Sequence, residues 1–183
     1  MTLILNSKEI KDCVKFNAEL IPVIEDAFKS LSLGKTVMPP ILRVDLEKYH
    51  GESDVKAAYI EGLDSFAVKV ASGFFNNPKL GLPSSNGLMI LLDSQTGVIK
   101  SVLLDKGYLT DVRTAIAGAI ASKYLSNSNS STVAIVGAGI QARMQLEALT
   151  LVRDIKNVNV WSRDIKKAHA YIENVGENIN LNF

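Results

Sequence analysis

A glycine-rich turn in the last third of the chain is the motif with the clearest chemistry. Thr132–Val136 is a short apolar run, the turn follows it at Gly137, Gly139 and Ala142, and helical periodicity begins at Ala142. In this G-x-G-x-x-A pattern the first glycine permits a tight turn, the second admits a pyrophosphate, and the alanine lets the helix pack on the strand. Unpaired amides at the helix N-terminus would bind the anion. The flanking elements favour dinucleotide binding over a merely tight turn.

The end of the next apolar run, at 158–161, indicates which dinucleotide is bound. An acidic residue there would bind the ribose 2′-hydroxyl of NAD, whereas an arginine would accommodate the 2′-phosphate of NADP. The sequence has Ser162, Arg163 and then Asp164. Ser162 and Arg163 favour NADP, although Asp164 could reach the ribose, so we expect NAD(P) with a preference for NADP. Trp161 is expected to pack in the core.

Three cations stand in unusual settings, namely Arg43, Lys69 and Arg113. Lys69 lies on a predicted strand between Ala67 and Ala71, and Arg113 begins an otherwise small and apolar helix. Together they could clamp a carboxylate, because arginine binds it in bidentate fashion and lysine adds a point charge. The alternative is three unrelated side chains at the surface or in salt bridges, and composition alone favours that alternative. The neighbouring acidic residues of 45–54 are expected to be solvated.

The elements that would position these groups differ along the chain. Helical spacing predicts helix through about residue 34, with Asn17 as N-cap and Gly34 as the stop. Alternation over 65–71 predicts a strand, and the apolar runs 88–92 and 98–104 predict a hairpin in which Gly97 takes a positive φ. Asp111 is expected to cap a helix over 112–125 whose small face would let another element approach closely.

The sequence pattern after residue 131 predicts a strand, a helix, a second strand and a second helix. We therefore predict an α/β protein, in which an α+β substrate-binding and dimerisation domain over 1–126 precedes the first half of a Rossmann doubly wound parallel sheet over 127–183. The polar segment 126–131 marks the boundary. Such a sheet needs more than two strands to cover its faces, so we expect the chain to be C-terminally truncated.

Composition excludes several classes of protein. The 183 residues carry a net charge of +1 and 47% hydrophobic residues, which fits a globular core and argues against nucleic-acid binding. The apolar runs are too short to cross a bilayer, and the sequence shows no secretory signal. A single cysteine, Cys13, fits a reducing compartment. We expect a cytoplasmic protein without membrane, nucleic-acid or metal partners.

Five ordered segments resemble the ornithine cyclodeaminase/mu-crystallin family. They lie at 40–43, 66–69, 81–84, 109–115 and 137–145. No single segment is specific to this family, but the five segments in this order are. The segments at 61–69 and 73–84 look closest to the cyclodeaminase-like proteins of ectoine utilisation.

The resemblance implies a two-domain homodimeric enzyme that exchanges a hydride between nicotinamide and the α-carbon of an amino or imino acid. Some members are cyclodeaminases, which are lyases; others are imine reductases or amino-acid dehydrogenases. By resemblance Arg43 and Lys69 hold the substrate carboxylate, Lys69 is catalytic, and Arg113 lies where substrate and cofactor meet. The implied cofactor-binding residues are Ser84, Arg113, Thr114, Gly137, Gly139, Ile140, Gln141, Ala142, Ser162 and Arg163.

Two departures from the family pattern affect this reading. Lys56 stands where ornithine cyclodeaminases carry a glutamate, which argues against ornithine as substrate. The family's catalytic aspartate would fall beyond Phe183, so no residue of this chain takes that role. The alternative function is therefore a catalytically inactive or truncated family member that acts as a cofactor-binding, ligand-binding or structural protein.

Overall fold

The computed structural model describes residues 1–176 and Asn182. By spatial proximity the chain groups into two compact units, Met1–Lys15 with Asp26–Thr110 and Phe16–Glu25 with Asp111–Phe183. The domain boundary after residue 126 stays a prediction. The main segment of the second compact unit begins earlier, at Asp111.

The N-terminal segment is not continuously helical, and the prediction of helix there is wrong for its first residues. Strand β1 spans Leu3–Asn6, helix α1 Ser7–Cys13 and helix α2 Leu20–Ser32. The β1 residues pair with a strand about a hundred positions later, which local periodicity cannot detect. Asn17 accepts a hydrogen bond from the amide of Glu19 just before α2 begins. Gly34, at φ +69°, follows the end of α2 as predicted.

A seven-stranded sheet forms the first unit. After β1 its strands are β2 (Thr36–Val37), β3 (Leu42–Leu46), β4 (Gly51–Ile60), β5 (Ser65–Phe74), β6 (Ser85–Asp93) and β7 (Ile99–Leu104). The order is β1-β7-β6-β5-β4-β2, and β3 also pairs with β4. All pairs are antiparallel except β1 with β7. The predicted strand and hairpin are confirmed, and Gly97 takes φ +70°.

The register of these strands separates two chemically different faces. Successive side chains of a strand point to opposite faces, and Arg43 pairs with Asp54 while Lys56 pairs with Lys69. We call the face that carries these four residues and Glu52 the charged face. The opposite, apolar face carries Val55, Phe66, Val68, Val70, Leu88, Ile90 and Leu92.

Helix α3 spans Tyr108–Leu125 and begins four residues earlier than predicted. The carboxylate of Asp105, which is 2% exposed, accepts a hydrogen bond from the amide of Leu109 at 2.8 Å. Asp111 therefore lies inside the helix rather than at its N-cap, and the prediction that Asp111 caps it is wrong. The Asp105 carboxylate instead accepts this first-turn amide, because the chain turns into the helix shortly after β7.

The second unit contains the predicted β-α-β-α arrangement. Strand β8 (Thr132–Val136), helix α4 (Ile140–Thr150), strand β9 (Asn157–Trp161) and helix α5 (Ile165–Gly176) follow one another, and β8 and β9 are parallel. Asn182 forms a parallel bridge to Asn157 on the free side of β9. The fold prediction, an α+β part followed by the first half of a doubly wound sheet, is confirmed.

The core of this second unit lies on one face of the β8–β9 pair. Its buried members are Leu146, Ile155, Val158, Tyr171 and Val175. Alternation places Trp161 on the other face, where its side chain is 58% exposed. The expectation that Trp161 packs in the core is wrong, because its position in β9 differs by an odd number of residues from that of Val158.

None of the helices in the described part of the chain combines the length and apolar composition that a membrane crossing requires.

Candidate functional site

The glycine turn between β8 and α4 is built as an open anion site. Gly137 takes φ +122°, a conformation that side chains disfavour, and its amide donates to the carbonyl of Trp161 at 2.8 Å. Gly139 is the N-cap of α4 and supplies no side-chain cap. An added Cβ on Gly139 would meet no atom within 4 Å. The first turn of α4 therefore lacks a side-chain cap, and the space beside Gly139 is open.

Gln141 joins this turn to helix α3. Its Nε2 donates to Oδ1 of Asp111 at 2.8 Å and to the backbone carbonyl of Asp111 at 3.3 Å. Arg113 and Thr114 follow Asp111 on the same helix, and Arg113 is exposed. Among the described residues, the buried Oε1 of Gln141 has no hydrogen-bond partner. A ribose hydroxyl of a dinucleotide would satisfy this acceptor, so the residues present fit such a cofactor.

The start of α5 is capped by Asp164. Its Oδ1 accepts from the amide of Lys166 at 3.0 Å, and its own amide donates to Ser162 Oγ at 3.4 Å. Arg163 is exposed beside them. Since the carboxylate of Asp164 is engaged at the helix end, Ser162 and Arg163 remain the polar side chains offered at the end of β9.

A cavity of about 320 Å³ adjoins the glycine turn within the second unit. Gly139, Ile140 and Arg143 of the turn and α4 line one side, and Lys167 and Tyr171 of α5 line the other. The hydroxyl of Tyr171 donates to the carbonyl of Ala142 at 3.1 Å. Burial raises the pKa of Tyr171 to about 12, against an opposing effect of the Arg143 charge.

On the charged face of the sheet, Arg43 is surrounded by carboxylates. Its Nε donates to Asp45 at 2.9 Å, a second nitrogen pairs with Glu52, and Nη1 lies 3.8 Å from Asp54 Oδ1. The hydrogen bond to Asp45, together with the negative charges of Asp45 and Glu52, raises the pKa of Arg43. A substrate carboxylate that binds Arg43 must therefore share or displace these partners.

Lys56 and Lys69 stand directly opposite each other on β4 and β5. Both are half-buried. Like charges in this relation destabilise a sheet unless a counter-charge is near. Asp54 supplies one, since its Oδ2 lies 3.0 Å from Lys56 Nζ, and its side chain is only 18% exposed. The expectation that Asp54 is solvated is wrong, because its position in β4 places it between Arg43 and Lys56.

The structure thus groups the predicted residues in two sets. Arg43 and Lys69 share the charged face of the first unit, and Ser84 lies exposed in the same unit just before β6. Arg113 and Thr114 belong to the second unit with the glycine turn. That all three cations converge on one ligand stays a prediction. In the described part of the chain, no group of three or more His, Cys, Asp or Glu is placed to hold a metal ion.

Asp54 and Asp111 are the polar residues of these sites that the sequence did not reveal. Asp54 belongs to the alternating series Glu52, Asp54, Lys56, whose period of two could have indicated a shared strand face. Asp111 gave no such signal, because its partner Gln141 lies thirty positions away.

Comparison with known proteins adds to this geometry. The model of the ornithine cyclodeaminase/mu-crystallin family matches residues 1–182. An uncharacterised cyclodeaminase of Sinorhizobium fredii is 54% identical over 171 residues, which are 93% of this chain and 52% of that protein.

Two solved structures share the fold. A Δ1-pyrroline-2-carboxylate reductase of Thermococcus litoralis, in complex with NADH and L-proline, matches with a TM-score of 0.91 at 32% identity, over 99% of this chain and 55% of that one. An archaeal alanine dehydrogenase dimer with bound NAD matches with a TM-score of 0.89 at 34% identity, over 99% and 54%. The chain spans about half the length of the relatives it matches.

Proposed function

The chain belongs to the ornithine cyclodeaminase/mu-crystallin family, and we propose that the protein is an NAD(P)-dependent enzyme acting at the α-carbon of a small amino or imino acid. Its activity would be that of an imine reductase, an amino-acid dehydrogenase or a cyclodeaminase. The observation that carries the proposal is the open glycine turn, where Oε1 of Gln141 is buried and has no hydrogen-bond partner among the described residues. The other unit of the same chain carries Arg43 and Lys69 on one face of its sheet.

The residues of this chain would bind and orient the reactants. When bound, the nicotinamide accepts or supplies the hydride that interconverts an amine and an imine, while the nitrogen loses or gains a proton. Arg43 and Lys69 would hold the α-carboxylate, so that the α-carbon faces the hydride position. Misplacement of reacting atoms by about 1 Å can cost about a hundredfold in rate. Arg113 would lie where substrate and cofactor meet.

The side chains after β9 support NADP rather than NAD as the preferred cofactor. A hydroxyl and a guanidinium, from Ser162 and Arg163, suit a 2′-phosphate. The one carboxylate nearby, Asp164, already accepts the amide of Lys166.

The charged face supports a substrate without a side-chain ammonium. Lys56 lies directly opposite Lys69 and is paired with Asp54, so this position offers no carboxylate of its own to a second ammonium on the ligand. This argues against ornithine and for small apolar, cyclic or acidic side chains.

The apolar face of the sheet supports a homodimer. Its residues, such as Val68 and Ile90, are only half-buried within one chain, and contiguous apolar surface of this kind marks an interaction site. A second copy of the chain is the proposed occupant, as one matched relative is a dimer. The reducing environment expected for the exposed Cys13 supports a cytoplasmic location.

A binding protein without turnover is the second candidate. It is favoured by the three carboxylates that already surround Arg43, because they compete with a substrate carboxylate. The test is to mix the intact protein, as expressed from its gene, with NADPH or NADP and a panel of amino acids and cyclic imines. A change in nicotinamide absorbance with at least one substrate supports the enzyme. Cofactor binding without any such change supports the second candidate.

A further inference from the structure

The guanidinium of Arg43 is bound by carboxylates of its own chain. Its Nε donates to Oδ1 of Asp45 at 2.9 Å, and its Nη2 pairs with Oε2 of Glu52. Nε and Nη2 form the side edge of a guanidinium, one of the edges at which arginine binds a carboxylate in bidentate fashion. Nη1 lies 3.8 Å from Oδ1 of Asp54, which is beyond hydrogen-bond distance. We call Asp45 and Glu52 the carboxylate pair, since together they occupy the side edge of Arg43.

Strand register fixes the carboxylate pair beside Arg43. In the pairing of β3 with β4, Asp45 stands opposite Glu52 and Arg43 stands opposite Asp54. The period of two along each strand puts all four side chains on the charged face. Diagonal neighbours across two strands are within reach of long side chains, so Arg43 contacts Glu52 as well as its direct partner. The contact therefore follows from the backbone pairing and needs no ligand.

The carboxylates around Arg43 differ in how easily they can leave it. The side chains of Asp45 and Glu52 are 57% and 33% exposed, whereas that of Asp54 is 18% exposed and ion-paired with Lys56 at 3.0 Å. Exposed ion pairs are weak, because water and salt compete with them. Asp45 also borders a cavity of about 390 Å³, which gives its side chain room to turn away from Arg43. The carboxylate pair can thus be displaced, while Asp54 stays in place.

We infer that the carboxylate pair is an autoinhibitory contact, which occupies Arg43 in the free protein and must be displaced by the carboxylate of a ligand. This inference rests on the proposed role of Arg43 in holding the substrate carboxylate. Only molecules with a free Arg43 bind the ligand, so the pair reduces the apparent affinity in proportion to the fraction of such molecules. Once the ligand is bound, the pair has left Arg43 and no longer affects the reaction.

The test measures how well a ligand carboxylate protects Arg43 from phenylglyoxal, a reagent that modifies accessible arginine side chains. The probes are L-alanine and L-proline, and the amides of both, which lack the carboxylate, are the ligand controls. Modification of Arg43 in the intact protein, in the presence of NADP, is followed by peptide mass spectrometry. The variants are Asp45→Asn, Glu52→Gln and the double variant, which keep the shape of the side chains and remove their charge.

Without a ligand, Arg43 should react about threefold faster in each single variant and about tenfold faster in the double variant, as expected for the loss of one and two exposed ion pairs. The concentration of amino acid that halves the rate should fall by the same factors. The amides should not protect Arg43 in any variant.

Glu47→Gln is the matched control, because it removes a negative charge from an exposed residue of the same segment. It should leave the reactivity and the protection of Arg43 unchanged. Equal reactivity of Arg43 in all variants, or no protection by either amino acid, would overturn the inference. Weaker protection in the variants of the carboxylate pair would also overturn it, because the pair would then support the binding geometry of Arg43 instead of competing with the ligand.

Turnover separates this inference from the proposed enzymatic function. In an active protein, KM for the amino acid should fall in the variants while kcat stays within about twofold. Faster modification and stronger protection of Arg43 in a protein that turns over no amino or imino acid would remove the enzyme and keep the autoinhibitory contact. Turnover by a protein whose Arg43 reacts equally in every variant would do the reverse.

Discussion

Gln141 donates a hydrogen bond from Nε2 to Oδ1 of Asp111 at 2.8 Å, and so joins the glycine turn to the helix that carries Arg113. The bond links two residues thirty positions apart within the second unit. It holds the predicted cofactor-binding residues of α3 and α4 together before any ligand arrives.

Gln141→Glu should therefore destabilise the protein and weaken cofactor binding. The change removes one hydrogen bond and sets a carboxylate against that of Asp111, at a cost of about 2 kcal/mol in the free energy of unfolding. Since two close carboxylates raise the pKa of one of them, part of the loss should return near pH 5. Denaturant unfolding and cofactor titration at both pH values measure this. Gln145→Glu, one turn later, is the control, and equal effects from both variants would contradict the assignment.

Gly118 leaves room for the side chain of Gln145 where α3 meets α4. A Cβ at Gly118 would lie 2.5 Å from Oε1 and 3.2 Å from Cδ of Gln145. Because the exposed side chain of Gln145 can rotate aside, Gly118→Val should lower the free energy of unfolding by no more than about 1 kcal/mol. Gln145→Ala in the same chain should restore much of it, because it removes the side chain that the valine meets.

Ala121→Val, on the exposed side of the same helix, controls for the effect of a β-branched residue on helix propensity. Thermal and denaturant unfolding of the three variants form the measurement. A double variant no more stable than Gly118→Val alone would show that Gln145 is not the obstacle.

Lys69→Ala should abolish turnover while cofactor binding persists. Loss of a charge-assisted bond to the substrate carboxylate is worth about 3 kcal/mol at most, or about a hundredfold in kcat/KM, and misorientation adds to it. Steady-state kinetics and cofactor titration are compared with those of Lys48→Ala, an exposed lysine of the same unit. Unchanged kinetics in Lys69→Ala would remove the carboxylate assignment.

Lys56→Glu should shift substrate preference towards amino acids with a side-chain ammonium. The change replaces the charge opposite Lys69 by one that attracts the second ammonium, so kcat/KM for ornithine relative to alanine should rise about tenfold. Lys48→Glu makes the same change of net charge away from the charged face. If both variants leave the ratio as it was, Lys56 does not face the substrate.

Val68→Lys should convert a dimer into a monomer. Val68 lies in the middle of the apolar face, opposite Ile90, and a buried lysine there would be costly. Light scattering after size exclusion measures the mass, and cofactor binding shows that the variant is folded. Val98→Lys, at a position already 63% exposed, should remain dimeric. A folded Val68→Lys dimer would place the interface elsewhere.

The sequence by itself determined the elements whose signals are local. The glycine turn, the 65–71 strand and the hairpin with Gly97 follow from alternation and from the conformations that only glycine adopts readily, and all appear in the structure. The ordered motifs around Arg43, Lys69 and the turn were enough to identify the family, because they preserve residue type and order along the chain.

Only the tertiary structure decided which distant residues meet. Strand β1 forms because it pairs with β7. The register of β3 and β4 places Asp54 on the charged face. Asp111 was expected to cap α3 and instead accepts a hydrogen bond from Gln141. Arg143 and Lys167 share a cavity because two helices pack side by side. Periodicity reports a residue's own element and face, whereas pairing across strands and helices depends on the relative positions of whole elements, which no local pattern encodes.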